Sequence, residues 1–128
     1  MECKMNLKEN WDWQTAVKEI KTGQWSEQFN WVEEFQVSPD GENVAAIVNM
    51  DEALFSVCVN GYTWETELEK AWALNYLPDG RLAAFGAQDE EWTVYVDGTP
   101  WENQFDYIWD LKWSRDGSHI CAAVQTDM

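Results

Sequence analysis

Apolar and polar residues alternate with a period of two along several short stretches of this chain. Leu54–Val59 alternates large apolar residues with Ser56 and Cys58, and residues 92–96 alternate in the same way. A period of two is typical of β-strands with one buried face. Related patterns predict further strands over 31–37, 71–77 and 108–114, over 44–48, 82–86 and 120–124, and from Tyr62 and Thr99 onward.

A unit of about 40 residues recurs three times. Each copy begins with a tryptophan that lies 15 positions before the aspartate of an Asp-Gly pair, and successive copies are 39 and 37 residues apart. Internal repeats of this length indicate stacked supersecondary units. The residues that mark the repeat are Trp25, Trp64 and Trp101, with Asp40, Gly41, Asp79, Gly80, Asp116 and Gly117.

Turn signals divide each unit into four strands. Asn60-Gly61 and Asp97-Gly98 lie between β-rich runs, where such pairs favour type I′ hairpins. The sequence from Ser38 to Gly41 favours a type I turn followed by a left-handed glycine. Four strands in about 40 residues match one blade of a β-propeller. We therefore expect an all-β propeller of four-stranded antiparallel blades.

The phase of the repeat sets the expected domain organisation. Residues 1–128 form a single half-propeller domain, with repeats near 25–63, 64–100 and 101–128. A third-type strand is expected at 11–17 and a fourth-type strand near 24–30, so that the N-terminal strands of 11–24 complete a shared blade. The only candidate helix is a turn at 15–20. Three blades are too few to close a ring, so we expect a six-bladed homodimer, or a fragment of a longer propeller.

The charge balance excludes some partners. Asp and Glu total 24 against 8 Lys and Arg, a formal charge of -16, which disfavours nucleic acid and anionic membrane surfaces. Basic proteins and cations are compatible partners; alternatively, the acidity keeps a surface rich in tryptophan soluble. We expect no signal peptide and no membrane-inserted segment. The cysteines are odd in number and lie far apart in the sequence, at Cys3, Cys58 and Cys121. This favours reduced thiols in the cytoplasm.

The sequence has no recognisable catalytic or cofactor motif. It lacks Cys-x-x-Cys-His, clustered cysteines, glycine-rich phosphate loops and Gly-x-Ser-x-Gly. His119 stands near a turn and is read as incidental. Cys121 is aligned with Ala45 and Ala84 and is read as a packing residue. We expect no cofactor, no metal site and no enzyme activity.

The ten tryptophans divide by their place in the repeat. Trp25, Trp64 and Trp101 share one position, which favours packing between adjacent blades. Trp109 and Trp113 do not follow the repeat and are better candidates for an interface, where tryptophan is enriched. Trp11 and Trp13, near the N-terminus, are likewise candidates for a dimer contact. These candidate interface residues are Trp11, Trp13, Trp109 and Trp113.

Several longer segments of the sequence resemble those of a known protein family. They include Trp11-Asp-Trp, Val37-Ser-Pro-Asp-Gly, Val57-Cys-Val-Asn-Gly, Tyr76-Leu-Pro-Asp-Gly-Arg-Leu-Ala-Ala and Trp101-Glu-Asn. With these segments, nearly the whole chain resembles TmcD, the Trp-rich cytoplasmic subunit of the Tmc transmembrane electron-transfer complexes of sulfate-reducing bacteria. The resemblance implies an accessory subunit in the cytoplasm, held at the inner membrane by other subunits of the complex. Members of that family are longer, with more blades.

Three hypotheses for function follow. The first is a non-catalytic interaction module, similar to TmcD, that binds partner proteins and a second copy of itself. The second is a propeller that binds a small molecule or a carbohydrate in aromatic pockets. The third is a hydrolase of propeller architecture, which lacks the expected His, Ser and metal constellations.

Overall fold

The backbone follows the strand pattern of the sequence. The structure is a computed structural model that describes the backbone of residues 2–6 and 17–126 and the side chains of 19–126. The elements are β1 (Glu2–Asn6), β2 (Val17–Lys21), α1 (Trp25–Gln28), β3 (Trp31–Val37), β4 (Val44–Asp51), β5 (Leu54–Val59), β6 (Tyr62–Thr63), β7 (Lys70–Tyr76), β8 (Leu82–Gln88), β9 (Glu91–Val96), β10 (Thr99–Pro100), β11 (Tyr107–Trp113) and β12 (Ile120–Gln125).

The strands form two complete sheets and two strand pairs within the described residues. The first sheet has the order β3-β4-β5-β6, and the second has the order β7-β8-β9-β10. The C-terminal pair is β11-β12, and the N-terminal pair is β1-β2. All neighbours are antiparallel. The prediction of an all-β chain with four-stranded antiparallel sheets is confirmed.

Apolar side chains on both faces of the sheets hold the layers together. One core cluster, which includes Ile47 and Val57 of the first sheet and Leu74 and Leu82 of the second, lies between these two sheets. Another cluster, which includes Phe85, packs the second sheet against the C-terminal pair. A third covers the opposite face of the first sheet with residues from β2 and α1. The sheets therefore stack face to face, and burial on two faces explains their long apolar runs.

The first strand of each unit carries the same irregularity. Pairing slips between Glu33 and Gln36, and at the equivalent places in β7 and β11. At each slip one residue has a positive φ, namely Glu34 (55°), Ala73 (59°) and Asp110 (60°). A bulge bends its strand and increases the local twist. No glycine marks these bulges in the sequence. Each positive φ belongs to another residue type, so the sequence does not predict them.

The turn glycines have the conformations that their sequences favour. Asn60 and Gly61 both have positive φ, at 49° and 96°, as do Asp97 and Gly98, at 49° and 84°. A positive φ at both central residues is the type I′ arrangement. The amide of Gly41 donates to the carbonyl of Ser38 at 3.0 Å, closing the predicted turn before β4.

Two predictions for the N-terminal region are wrong. The predicted fourth strand near 24–30 contains the one-turn helix α1, and its Phe29 amide donates to the Trp25 carbonyl. The candidate helical turn at 15–20 overlaps β2, which pairs with β1. Most of the predicted strand at 11–17 lies outside the described residues. Among those described, no helix is long and apolar enough to cross a membrane.

The equivalence of the second strands also needs a correction. Val37 pairs with Val44, and Trp113 with Ile120, but Tyr76 pairs with Leu82. The turn of the second unit is therefore one residue shorter. As a result, Cys121 is equivalent to Ala45 and Ala83 rather than to Ala84, and His119 is equivalent to Asn43 and Arg81.

Replacing two side chains of the second sheet by their equivalents from the first sheet tests this packing. A Cβ added to Gly86 would lie 2.7 Å from the Tyr95 ring, whereas the equivalent positions in the first sheet hold Val48 and Cys58. We expect Gly86→Val to lower the free energy of unfolding by about 1–3 kcal/mol through overpacking. The double change Gly86→Val with Tyr95→Cys should recover part of that loss. Urea denaturation measures both; a double variant no more stable than the single one would contradict the exchange.

Candidate functional site

One end of the stacked sheets is acidic. The turns from second to third strands place Asp51 and Glu52 of the first sheet, and Asp89 and Glu90 of the second, on the surface. Each first strand begins at this same end because neighbouring strands are antiparallel. We call this surface the acidic end; its exposed carboxylates are Asp51, Glu52, Glu67, Asp89, Glu90, Glu91 and Asp106.

Hydrogen bonds order part of the acidic end. The amide of Asp89 donates to Oε1 of Glu69 at 2.7 Å, and the side-chain amide of Gln88 donates to the carbonyl of Glu67. Asp89 and Glu90 have positive φ, at 52° and 65°, so a tight turn projects these carboxylates into water. The clustered negative charge favours positively charged partners and is screened by salt.

Aromatic rings are exposed at the same end. Trp31, the first residue of β3, is 51% exposed and packs edge-on against Phe55 with ring centroids 5.9 Å apart. Tyr107, the first residue of β11, is 44% exposed. Exposed large aromatic side chains beside charged groups are a common composition for protein interfaces.

A row of aromatic rings connects this end with the interior. Trp72 packs edge-on against Phe85 and Trp92, with centroids 5.0 and 6.5 Å away. Trp92 contacts Tyr107 at 6.3 Å, and Tyr107 stacks on Trp109 at 5.8 Å. The row ends at Trp109, which is 41% exposed. It therefore leaves an aromatic face of the C-terminal pair in contact with solvent.

Two of the predicted interface residues, Trp109 and Trp113, lie on β11. Trp109 is exposed on β11, but it follows the repeat after all, since Trp72 lies at the equivalent position of β7 and packs in the core between the sheets. Trp113 is half-buried at the end of β11. Trp11 and Trp13 lie outside the described residues.

Two of the three repeated tryptophans, Trp25 and Trp64, lie beside the turns of the following layer. Trp25 is buried against the first sheet and stacks on Phe35 at 6.0 Å. Its Nε1 lies 3.9 Å from a Cβ built on Gly61, and the Trp64 ring lies 3.4 Å from one built on Gly98. Trp64 and Trp101 are half-buried in the clusters on either side of the second sheet. Each ring therefore contacts the boundary between successive layers.

The Asp-Gly turns lie at the end opposite the acidic end. Asp40 and Asp116 each accept a hydrogen bond from the serine hydroxyl two residues earlier, at 2.7 and 2.8 Å. Hydrogen bonds from the amide and hydroxyl of Ser118 and the hydroxyl of Ser114 lower the Asp116 pKa to about 2. The guanidinium of Arg81 joins two of these turns, donating to the Gly117 carbonyl at 2.6 Å. These aspartates thus accept structural hydrogen bonds within their own turns, and Arg81 connects two of the turns.

The cysteines and the histidine occupy different environments. Cys58 is buried in the first sheet, and burial raises the pKa of its thiol to about 11. Cys121 is exposed on β12, although its equivalents Ala45 and Ala83 are buried. Its interpretation as a buried packing residue is therefore wrong for the isolated chain. His119 is exposed and contacts the Ser118 hydroxyl at 2.9 Å.

The described side chains include no group of three or more metal-ligating residues. Comparison with protein-family models finds no match, and comparisons with curated proteins and with solved structures find no significant match. The resemblance to TmcD stays an expectation from the sequence.

Tyr76 is the one orphaned group among the described buried polar side-chain atoms, because its hydroxyl has no hydrogen-bond partner. Burial, followed by repulsion from Asp40 and Asp97, raises its pKa to about 12 from 10.0. The free energy of unfolding that arises from this raised pKa is therefore fully present below pH 10, and it is lost as the pH rises from 10 to about 12.

Removal of this hydroxyl gives a second test. We expect Tyr76→Phe to raise the free energy of unfolding by about 1 kcal/mol at pH 7, because it removes an unsatisfied buried group. The variant should also lose less stability than the unchanged chain between pH 10 and 12. Urea denaturation at pH 7, 10 and 11.5 measures both effects, and the fall that remains belongs to Cys58 from pH 9 to about 11 and to Tyr95 above pH 10, because burial raises the pKa of both groups. A destabilised variant would reveal a partner for the hydroxyl.

Proposed function

We propose that this chain is a non-catalytic docking protein whose acidic end binds a basic surface of another protein. The observation that carries this proposal is the composition of that end. Carboxylates from both complete sheets lie there together with Trp31 and Tyr107, which are 51% and 44% exposed. Charges speed and orient the encounter, and desolvated aromatic rings supply most of the affinity of such interfaces.

The proposed scaffold is a β-propeller. Adjacent sheets are packed face to face by Trp64 and other residues of the core clusters. The first and second sheets approach one another most closely at their first strands, β3 and β7, whereas the second sheet and the C-terminal pair approach most closely at β9 and β11, so the support from strand packing comes from the first junction. Sheets that fan out around an axis approach one another most closely at their innermost strands. Two such chains would supply the six blades of a closed ring, within the usual range of four to eight.

The proposed partner follows from charge and from the resemblance in sequence. The formal charge of -16 opposes binding to phosphate backbones and anionic lipids. The negative charge favours a basic protein surface. The sequence segments that resemble TmcD indicate the cytoplasmic side of a membrane-bound electron-transfer complex. In this proposal the chain is an accessory subunit that is held at the inner membrane by other subunits.

The experiment measures binding of the purified chain to a detergent-solubilised Tmc complex from which TmcD has been removed. We expect the association rate to fall as salt concentration rises, because the attraction between exposed charges is screened. The double variant Glu52→Gln with Glu90→Gln should lower the association rate and flatten its salt dependence. Surface plasmon resonance at several salt concentrations measures both effects.

The matched control removes two other exposed charges. Glu65→Gln with Glu102→Gln changes equivalent positions after the fourth strands, outside the acidic end, and should leave the salt dependence closer to that of the unchanged chain. Equal effects of the two double variants would assign the attraction to net charge instead of to the acidic end. Absence of binding at low salt would overturn the proposed partner.

A further inference from the structure

The last strand of the chain lacks the neighbour that its equivalents have. In the complete sheets, the second strands β4 and β8 lie between a first and a third strand. Strand β12 is their equivalent, yet within the described residues it pairs with β11 alone. One edge of β12 therefore presents unpaired amides and carbonyls, an arrangement that favours addition of another strand.

Strand β2 has the position of a third strand, and no second strand lies beside it among the described residues. Ile20 packs against the first sheet, as Val59 packs towards the second, and each precedes a repeated tryptophan by the same five residues. β1 holds one edge of β2. A third strand has two neighbours in each complete sheet, whereas β2 pairs with β1 alone, so one edge of β2 has no described strand beside it.

The outer face of the C-terminal pair is uncovered as well. Trp109 is 41% exposed and Cys121 is exposed, whereas their equivalents Trp72 and Ala83 lie between the second sheet and the C-terminal pair. In each earlier unit, the following layer covers this face. Within the described residues, the C-terminal pair therefore has neither a third strand nor a layer over this face, and β2 and the first sheet of a second copy are of the kind that would supply both.

We propose that β12 of one copy pairs antiparallel with β2 of a second copy. This inference rests on the ring of the proposed function and specifies how it closes. The composite sheet has the order β11-β12-β2-β1, with β1 in the place of a fourth strand. The register follows from the complete sheets, where Ala45 pairs with Val59 and Ala83 with Val96. Cys121 then lies opposite Ile20 of the second copy, and Ala123 opposite Lys18.

Two contacts between layers are repeated across this junction. The Leu74 amide donates to Oε1 of Glu34 at 3.0 Å, which joins the bulges of adjacent sheets. Asp110, whose Oδ2 lies 3.8 Å from Nζ of Lys112, occupies the equivalent of Glu34 at the end of the array, and in the proposed junction its carboxylate accepts from the Phe35 amide of the second copy. Trp101 likewise lies beside the turn at Thr22 of the second copy, the equivalent of Gly98, as Trp64 lies beside Gly98.

Disulfide trapping tests the register. Cα atoms of opposed residues in an antiparallel pair are about 4.5–5.5 Å apart, within the range that a disulfide spans. The trapping variant is Ile20→Cys in a Cys3→Ser background, since Cys3 lies opposite Ile20 within the chain. Under mild oxidation we expect a covalent dimer on a non-reducing gel, and Cys121→Ala should abolish it. Cys58 is buried and does not compete.

The control places the new cysteine one residue away. Glu19→Cys in the same background projects from the opposite face of β2 and should give no crosslink, because side chains alternate along a strand. A crosslink from Glu19→Cys instead of Ile20→Cys would overturn the register. If Ile20→Cys disturbs folding, the pair Lys18→Cys with Ala123→Cys tests the same register in a Cys3→Ser, Cys121→Ser background.

Light scattering separates this inference from the proposed function. A mass of twice 14.9 kDa together with the Ile20→Cys crosslink supports the junction. That mass without a crosslink from either cysteine pair overturns the junction and leaves a dimeric docking protein. A crosslink in a ladder of larger species supports the junction but overturns closure as a ring. A mass of 14.9 kDa with no crosslink overturns both the junction and the dimer.

The side chain at 110 gives a second readout. We expect Asp110→Ala to shift the dimer towards monomer upon dilution, because it removes the acceptor for the Phe35 amide. Asp110→Glu, which restores the side chain found at Glu34, should retain the dimer. An equal loss of dimer in both variants would overturn the role of this carboxylate.

Discussion

The stability of this fold depends on sheets that are apolar on both faces. In β4 and β8, consecutive residues are buried instead of alternate ones, so each sheet requires a layer on either side. An isolated unit would leave one apolar face in water, and burial of such area is the main favourable contribution to folding. Stacking is therefore a requirement of the individual unit, and the number of units follows from how the two ends of the stack are covered.

The two ends of the stack differ. At the N-terminal end, Ile20, Trp25 and Phe29 cover the first sheet. At the C-terminal end, Tyr107, Trp109 and Cys121 remain exposed on the last pair. This polarity distinguishes a head from a tail. Contacts between a head and a tail are heterologous, and they produce either a closed ring or an open chain according to the rotation between copies.

The strand positions could be predicted from the sequence because turn chemistry and period act locally. Asn60-Gly61 and Asp97-Gly98 determine their hairpins with little help from the rest of the chain, and Leu54–Val59 has the bounds that its alternation indicates. The bulges at Glu34, Ala73 and Asp110 could not be predicted in this way. Glu and Ala have no preference for a positive φ, and Asp has one but occurs here inside a strand pattern without a turn signal, so local propensity does not indicate the bulges.

The surface was harder to predict than the core. The alignment of Cys121 with small residues correctly identified its place in the repeat, apart from the one-residue difference in the second unit, but it could not show that the layer over Cys121 is missing. The N-terminal error has a similar origin. Residues 24–30 share their tryptophan with the other units, yet Trp25 and Phe29 occur here in a helical turn, because tertiary context overrides a repeated sequence.

The close approach of the Tyr95 ring to Gly86 makes the second sheet differ from the first in its side-chain packing. The second sheet combines a vacant side-chain position with a large ring, whereas the first combines Val48 with Cys58. Side chains at these two positions are thus complementary in size within each unit. Chimeras that exchange single strands between units would bring two bulky groups, or two small ones, onto the same site. The units share an architecture, but their strands are not interchangeable parts.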